Sequence, residues 1–319
     1  MNFSPNWRSA PAFAGVLVCA LLTACATPQV ARLQAPGQAP HVAPRAALEN
    51  VPFFAQKEYE CGPAALAMVL SAAGVAVTPE SLVDQVYLPA RKGSLQVEML
   101  AATRQRGLIA YPLKPALQDL LQEVAAGYPV LVFQNLSLPV YPVWHYAVVI
   151  AYDLERNTIT LHSGETAQLE MSLFTFERIW ARGQYWAMLA LPPGTLPATA
   201  DAKAYARSVA ALERSHPQAA RLAYTQALLR WPDQANLQFG LGNSAYALHD
   251  LAAAATAYQA ASAAQPDFAD AWNNLAQARL ELGDKAAATV AIARAVALGG
   301  ANLPQYRELQ SQLEATPQH

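Results

Sequence analysis

Charge is scarce in this 319-residue chain: only 14% of residues are Asp, Glu, Lys or Arg, and the net charge is −2. No Lys/Arg block occurs, so the electrostatic footprint of nucleic-acid binding is missing. No spacing of histidines or carboxylates resembles a metal site, and no Gly-rich phosphate loop is present. Neither a metal nor any other cofactor is therefore implied. Cysteine is rare as well, three in all, and each has to be read by its own surroundings. What the chain does have is apolar bulk. At 54% hydrophobic it can fill two modest domains, or one domain plus a repeat array. Alanine is over-used, above all after residue 200, which favours helix there.

The N-terminus accounts for two of the cysteines. Residues 1–25 hold a short polar start with one positive charge, Arg8, then an apolar run from Ala12 to Leu22, then small residues before Cys25. The run is too short for a stable bilayer-spanning helix and reads as a secretory signal. Leu22-Thr23-Ala24-Cys25 resembles a bacterial lipobox, which implies cleavage before Cys25 and lipidation of its thiol. An ordinary signal peptide cleaved nearby, or a short membrane anchor, is the competing reading. Ala26 after the cysteine, where a sorting Asp is absent, implies an outer-membrane, periplasm-facing lipoprotein. Cys19 leaves with the signal, so Cys61 is the one thiol left, in a compartment where lone thiols are a liability.

Residues 26–47, rich in Ala, Pro and Gln without hydrophobic periodicity, read as a flexible tether. From Val51 to about Leu191 the pattern is mixed. Helices are expected over Cys61–Ala73, from Thr78-Pro79-Glu80 with Thr78 as N-cap, over Ser94–Arg106 and over Leu117–Ala126, with Gly74, Gly107 and Gly127 as stops. Strands are expected over 129–133, 145–152, 158–161 and 184–191, with Asp153–Asn157 as a hairpin turn. Helices first and antiparallel strands second indicate an α+β domain, closed by Pro192-Pro193-Gly194.

The remainder repeats every 34 residues. Pro232 and Pro266 keep that spacing, as do Ala220, Ala254 and Ala288, then Ala227, Ala261 and Ala295, then Tyr224, Tyr258 and Ile292. Leu241-Gly242 and Leu275-Ala276 put a small residue where two helices approach closely. This pattern resembles the tetratricopeptide repeat, in three units over 201–300. The first is degenerate, with Arg207-Ser208 at the Leu-Gly position. The resemblance implies six amphipathic helices and a protein partner.

The most informative segment is Gln56-Lys57-Glu58-Tyr59-Glu60-Cys61-Gly62-Pro63-Ala64-Ala65. Cys61 opens an apolar helix, where unpaired N–H groups and the positive dipole end favour a thiolate. Gly62 permits tight backbone packing, and Pro63 suits the first turn. Gln56 can aim its amide above the sulfur and, with the Cys61 N–H, form an oxyanion hole. A base is needed, and the strand half of the domain offers His145 and His162. His145 begins the most apolar strand, where a side chain can reach a cleft while Val148 and Ile150 are buried. Its position after a Gln…Cys-Gly-Pro helix start favours it as the partner of Cys61 over a structural histidine. Arg91-Lys92-Gly93 reads as a solvated turn, and Trp144, Trp180 and Trp186 as core or cleft wall.

Gln56-x4-Cys61-Gly62-Pro63-Ala64-Ala65 followed by His145-Tyr146-Ala147-Val148-Val149-Ile150-Ala151-Tyr152-Asp153 resembles the bacteriocin-processing-type (double-glycine leader) cysteine peptidases, and most of all their envelope relatives, the peptidase C-thirty-nine-like domains. The resemblance implies an α+β papain-like fold over 48–193. Cys61 would be nucleophile, His145 general base and Gln56 the oxyanion-hole side chain. It also places an Asp-Pro on the strand after the His strand, where this chain has Ser163-Gly164. Ser163 can accept from the imidazole but carries no charge; His162 or Glu165 would substitute under a shifted hairpin register. The expected architecture is a signal peptide at 1–24, a tether at 25–47, the papain-like domain at 48–193, a linker at 194–200, an all-α tetratricopeptide array at 201–300 and a tail at 301–319. Three functions compete: an envelope lipoprotein peptidase whose repeats recruit a partner or substrate, a weak or inactive peptide-binding scaffold, and a cell-wall endopeptidase using His162.

Overall fold

The computed structural model describes residues 27–35, 42–56 and 60–315. The signal segment and both Cys19 and Cys25 lie outside the described residues. An α+β domain with one antiparallel sheet leads into an array of paired helices. The domain begins with α1 (Pro28–Leu33) and β1 (Arg45–Ala47), then α2 (Cys61–Ala72), α3 (Glu80–Val86) and α4 (Gln96–Gln105). After β2 (Ile109–Pro112) and α5 (Leu117–Ala125) come β3 (Val130–Asn135), β4 (Trp144–Asp153), β5 (Thr158–Ser163) and β6 (Thr166–Ser172). It ends with α6 (Leu173–Arg182) and β7 (Ala187–Leu191).

The strand order is β2-β7-β3-β4-β5-β6. Along one edge of β4, β3 pairs with residues 144–149 and β1 with residues 151–153, so the two lie end to end. Side-chain alternation divides the sheet between two cores. Val130, Val132, Ala147, Val149 and Leu161 face α5 and α6 through Leu117, Leu121, Val124, Phe176 and Trp180. Leu131, Tyr146, Val148, Ile150 and Met188 face α2. That helix has no polar side: Gly62 through Leu70 are all buried. A helix apolar all round must be covered all round, and here the sheet covers one side while α3 and α4 cover the other. Each fully buried Leu, Val or Met in these layers contributes roughly 1.5–3 kcal/mol.

The flexible tether expected at 25–47 is corrected for its described part. Val30 is fully buried, and the buried carboxylate of Glu177 accepts the Gln29 N–H at 2.9 Å and the Val30 N–H at 2.7 Å. The Gln29 side chain donates to the Pro115 carbonyl at 3.1 Å and accepts from the Leu117 N–H. Six residues cannot hold a helix in water by themselves; tertiary partners about 90 and 150 positions downstream hold this one. Two further expectations change. Thr78 does not cap α3; Ser81 Oγ instead donates to the Thr78 carbonyl at 2.7 Å. Strands β2 and β6 and helix α6, unmarked in the sequence pattern, complete the layers; Ser172 caps α6 by accepting the Thr175 N–H at 3.1 Å.

Six helices fill the repeat region: α7 (Ala202–Ala210), α8 (Pro217–Arg230), α9 (Ala235–Ala247), α10 (Leu251–Ala264), α11 (Ala269–Glu281) and α12 (Lys285–Leu298). The 34-residue columns are the buried ones: Ala220, Ala254 and Ala288, and Tyr224, Tyr258 and Ile292, are all 0–2% exposed. Gly240 and Gly242 are required there, because a Cβ on either would stand 2.1 Å or 2.5 Å from the rings of Tyr224 and Tyr258. The tail at 301–319 is corrected to a seventh helix over its described part, α13 (Leu303–Ala315), which buries Tyr306, Leu309 and Leu313 against the array. The linker at 194–200 is pinned rather than loose. Glu123 accepts the Ala198 N–H at 3.0 Å, the Thr199 N–H at 2.8 Å and the Thr199 hydroxyl at 2.6 Å. Tyr205 and Val209 of α7 enter the α5–α6 core, so domain and array share apolar interior.

Candidate active site

Cys61 is the first residue of α2, and among the described residues no side chain caps that helix. Open N–H groups at a helix start favour an anion. The backbone N–H groups of Tyr146, Gly62 and Cys61 itself act on the sulfur and lower its pKa, but burial outweighs them and raises the thiol above its ordinary 9.0. Gly62 is needed for space: a Cβ there would meet Ser94 Oγ at 2.1 Å. Ser94 Oγ is itself buried and has no hydrogen-bond partner among the described residues.

Gln56 and His145 line the same cleft as Cys61, a space of about 990 Å³ whose walls include Arg91, Lys92, Ser94, Leu95, Phe133, Val143, Trp144, Tyr146 and Glu165. Gln56 donates one amide hydrogen to the Tyr146 carbonyl at 3.2 Å, which leaves the second for the cleft. Its backbone N–H donates to Gly164 O at 3.1 Å, tying this segment to the β5–β6 turn. His145 stands near the start of β4, opposite Gln134. Its Nε2 lies 2.9 Å from Ser163 Oγ on β5. Burial pulls the imidazole down to about 4. With the thiol raised and the imidazole lowered, both of these cleft groups are neutral at pH 7.

His162 is not a third member of this group. It is 5% exposed, and its ring nitrogens meet the carbonyls of Ala167 and Val51, the latter at 3.1 Å. Its place in the alternation of β5 explains this: it pairs with Val148 and faces the α2 layer, where Phe53 packs on its ring. Asp153 serves the hairpin, accepting the Arg156 N–H at 2.9 Å. Trp180 is core and Trp144 is cleft wall, whereas Arg91 and Lys92, read as a solvated turn, are exposed but also line the cleft.

Tyr146 is the residue the sequence reading passed over. Its N–H acts on the Cys61 sulfur, its carbonyl holds Gln56, and its hydroxyl donates to Ser94 O at 3.2 Å. The signal for it was the alternation of HYAVVIAY, which sets Tyr146 on the α2 face with Val148 and Ile150.

The Peptidase_C39 like family matches residues 48–187, and tetratricopeptide repeats match 205–261 and 239–306. The chain therefore carries a C39-like peptidase domain followed by a tetratricopeptide array. Among solved structures it is similar to a C39-like peptidase from Bacillus anthracis, at 18% identity and a TM-score of 0.40, covering 46% of this chain and 97% of that one. It is also similar to the TPR2B domain of yeast Sti1 in its pHsp70 complex, at 20% identity and a TM-score of 0.33, covering 34% and 93%. No curated protein matches.

Proposed function

We propose that the chain is a cysteine peptidase of the bacterial envelope, with Cys61 as nucleophile, His145 as general base and Gln56 as oxyanion donor. The observation that supports this reading is the convergence of all three on one cleft at the start of an uncapped helix. Ser163 occupies Nε2 of His145, so Nδ1 takes the thiol proton as sulfur attacks a peptide carbonyl. The carbonyl oxygen becomes an oxyanion that the Cys61 N–H and the free Gln56 amide hydrogen stabilise. The imidazolium then returns the proton to the leaving amine, and water hydrolyses the thioester. Ser163 orients the ring without charge, so the dyad is a slow one.

The array supplies partner or substrate recruitment. A recess of about 350 Å³ there is lined by Tyr246, Tyr258, Asn273, Asn274, Gln277 and Gln305, polar groups suited to a peptide backbone. Lipidation at Cys25 and residence on the periplasmic side of the outer membrane rest on the Leu22–Cys25 motif; loss of labelled palmitate in Cys25→Ser tests them. The neutral resting pair and the uncharged Ser163 favour one second reading, a peptide-binding scaffold without turnover. Hydrolysis of a fluorogenic peptide library separates the two. The peptidase reading requires Cys61→Ala and His145→Ala each to lower the rate at least about a hundredfold; equal rates in all three proteins would refute it.

A further inference from the structure

Among the described residues eleven large hydrophobic side chains are exposed; five of them, Leu136, Leu138, Val140, Tyr141 and Val143, fall within the β3–β4 loop, and a sixth, Trp144, follows as the first residue of β4. Val140 is 75% exposed and Tyr141 79%. Loops normally turn polar groups to water, and a concentrated apolar surface marks a place of contact. This one is held in shape. Buried Asn135 accepts the N–H groups of Ser137 at 3.0 Å and Val143 at 2.9 Å through its side-chain oxygen. The Leu136 N–H donates to Val143 O at 2.9 Å, and Arg182 donates to Ser137 O at 2.9 Å.

The base of the loop runs into the cleft. Val143 and Trp144 line it, and the Trp144 ring stacks on Phe133, another wall residue, with centroids 5.1 Å apart and 14° between planes. Resting on the peptidase reading, we propose that the β3–β4 loop selects the substrate: a peptide bearing a bulky aliphatic or aromatic side chain beside the cleaved bond. That side chain lies against Trp144 and Val143, and the loop tip covers the next one. Continuity of the apolar surface with the walls around Cys61 and His145 argues for a peptide occupant rather than a lipid one. A bilayer would meet the tip but not the stacked ring at its base.

The test compares the wild-type chain from residue 27 onward with Val140→Ser/Tyr141→Ser and with Trp144→Ala, all on capped decapeptides with Phe, Leu or Ser at one central position. The wild type is expected to cleave the Phe and Leu peptides at least about tenfold more efficiently than the Ser peptide. Trp144→Ala should lose most of that ratio and the double variant part of it, while the double variant's Cys61 alkylation rate stays unchanged. An unchanged ratio in both variants overturns the inference. If no peptide is cleaved, the peptidase reading has failed, and calorimetric titration of the same peptides into Cys61→Ala decides the loop separately. Tighter binding of the Phe peptide that Trp144→Ala abolishes upholds it; equal binding of Phe and Ser peptides overturns it. Sedimentation with phosphatidylethanolamine–phosphatidylglycerol vesicles completes the test. Vesicle binding lost in the double variant, with peptide preference intact, would make the loop a lipid-contact element and overturn the proposal.

Discussion

At the scale of single residues, the controlling fact is that burial acts on both members of the proposed dyad. It raises the thiol of Cys61 and lowers the imidazole of His145 to about 4. Alkylation of Cys61 should therefore be slow at pH 7 and climb with a midpoint above 9, little changed by His145→Ala; a midpoint below 8 would contradict the neutral pair. His145 also links pH to stability. Above about 6.5 the ring is neutral in folded and unfolded chains alike, and its contribution is constant. Between 6.5 and about 4 the unfolded chain takes up a proton that the fold resists, so stability falls as pH falls through that window. Melting temperatures at pH 7 and 4.5 should drop further for the wild type than for His145→Gln. Ser163→Asp replaces the Oγ that lies 2.9 Å from Nε2 with a charged carboxylate, which favours the imidazolium and through it the thiolate. Peptide hydrolysis at pH 7 should rise about tenfold or more, with the alkylation midpoint shifting down.

Helices and strands place these groups, and two contacts show how closely. The first turn of α2 lies against Ser94, so Gly62→Ala forces Cβ into Oγ. Overpacking of this kind costs about 1–3 kcal/mol, and thermal unfolding should register it together with a change in Cys61 reactivity. The second contact is α1 on Glu177. Glu177→Ala removes the acceptor of two backbone N–H groups, leaving donors without partners at about 1–3 kcal/mol each. Hydrogen exchange at Gln29 and Val30 should accelerate while the amides of α2 stay protected. Unchanged exchange at both positions would show that Val30 packing and the Gln29 side-chain bonds hold α1 without Glu177.

Across the whole molecule, the peptidase-like domain and the array do not have separate interiors. Tyr205 of α7 is fully buried, with its ring centroid 6.4 Å from that of Tyr111 on β2. Tyr205→Ala should cost about 3–5 kcal/mol, and calorimetry should show the domain transition moving down with it. Two independent transitions, with only the array affected, would argue against a shared core. Among the described residues no helix is long and apolar enough to cross a membrane.

What was legible in the sequence is what depends on neighbours in the chain. The all-apolar run after Cys61 reads as a covered helix, and the 34-residue columns read as the packed faces of repeated helix pairs. Gln56, Cys61 and His145 could be singled out together by residue type and spacing, and the fold sets all three on one cleft. The unreadable part depended on groups far apart in sequence. Glu177 turns a tether-like stretch into α1, and Glu123 pins a linker-like one. Register across β4 and β5 sends His162 to the Val51 carbonyl and brings Ser163 to His145. Composition cannot reveal such pairings, because a carboxylate or a hydroxyl reads the same whether water or a buried backbone N–H is its partner. Burial makes that difference, and burial exists only once the sheet has closed over both cores.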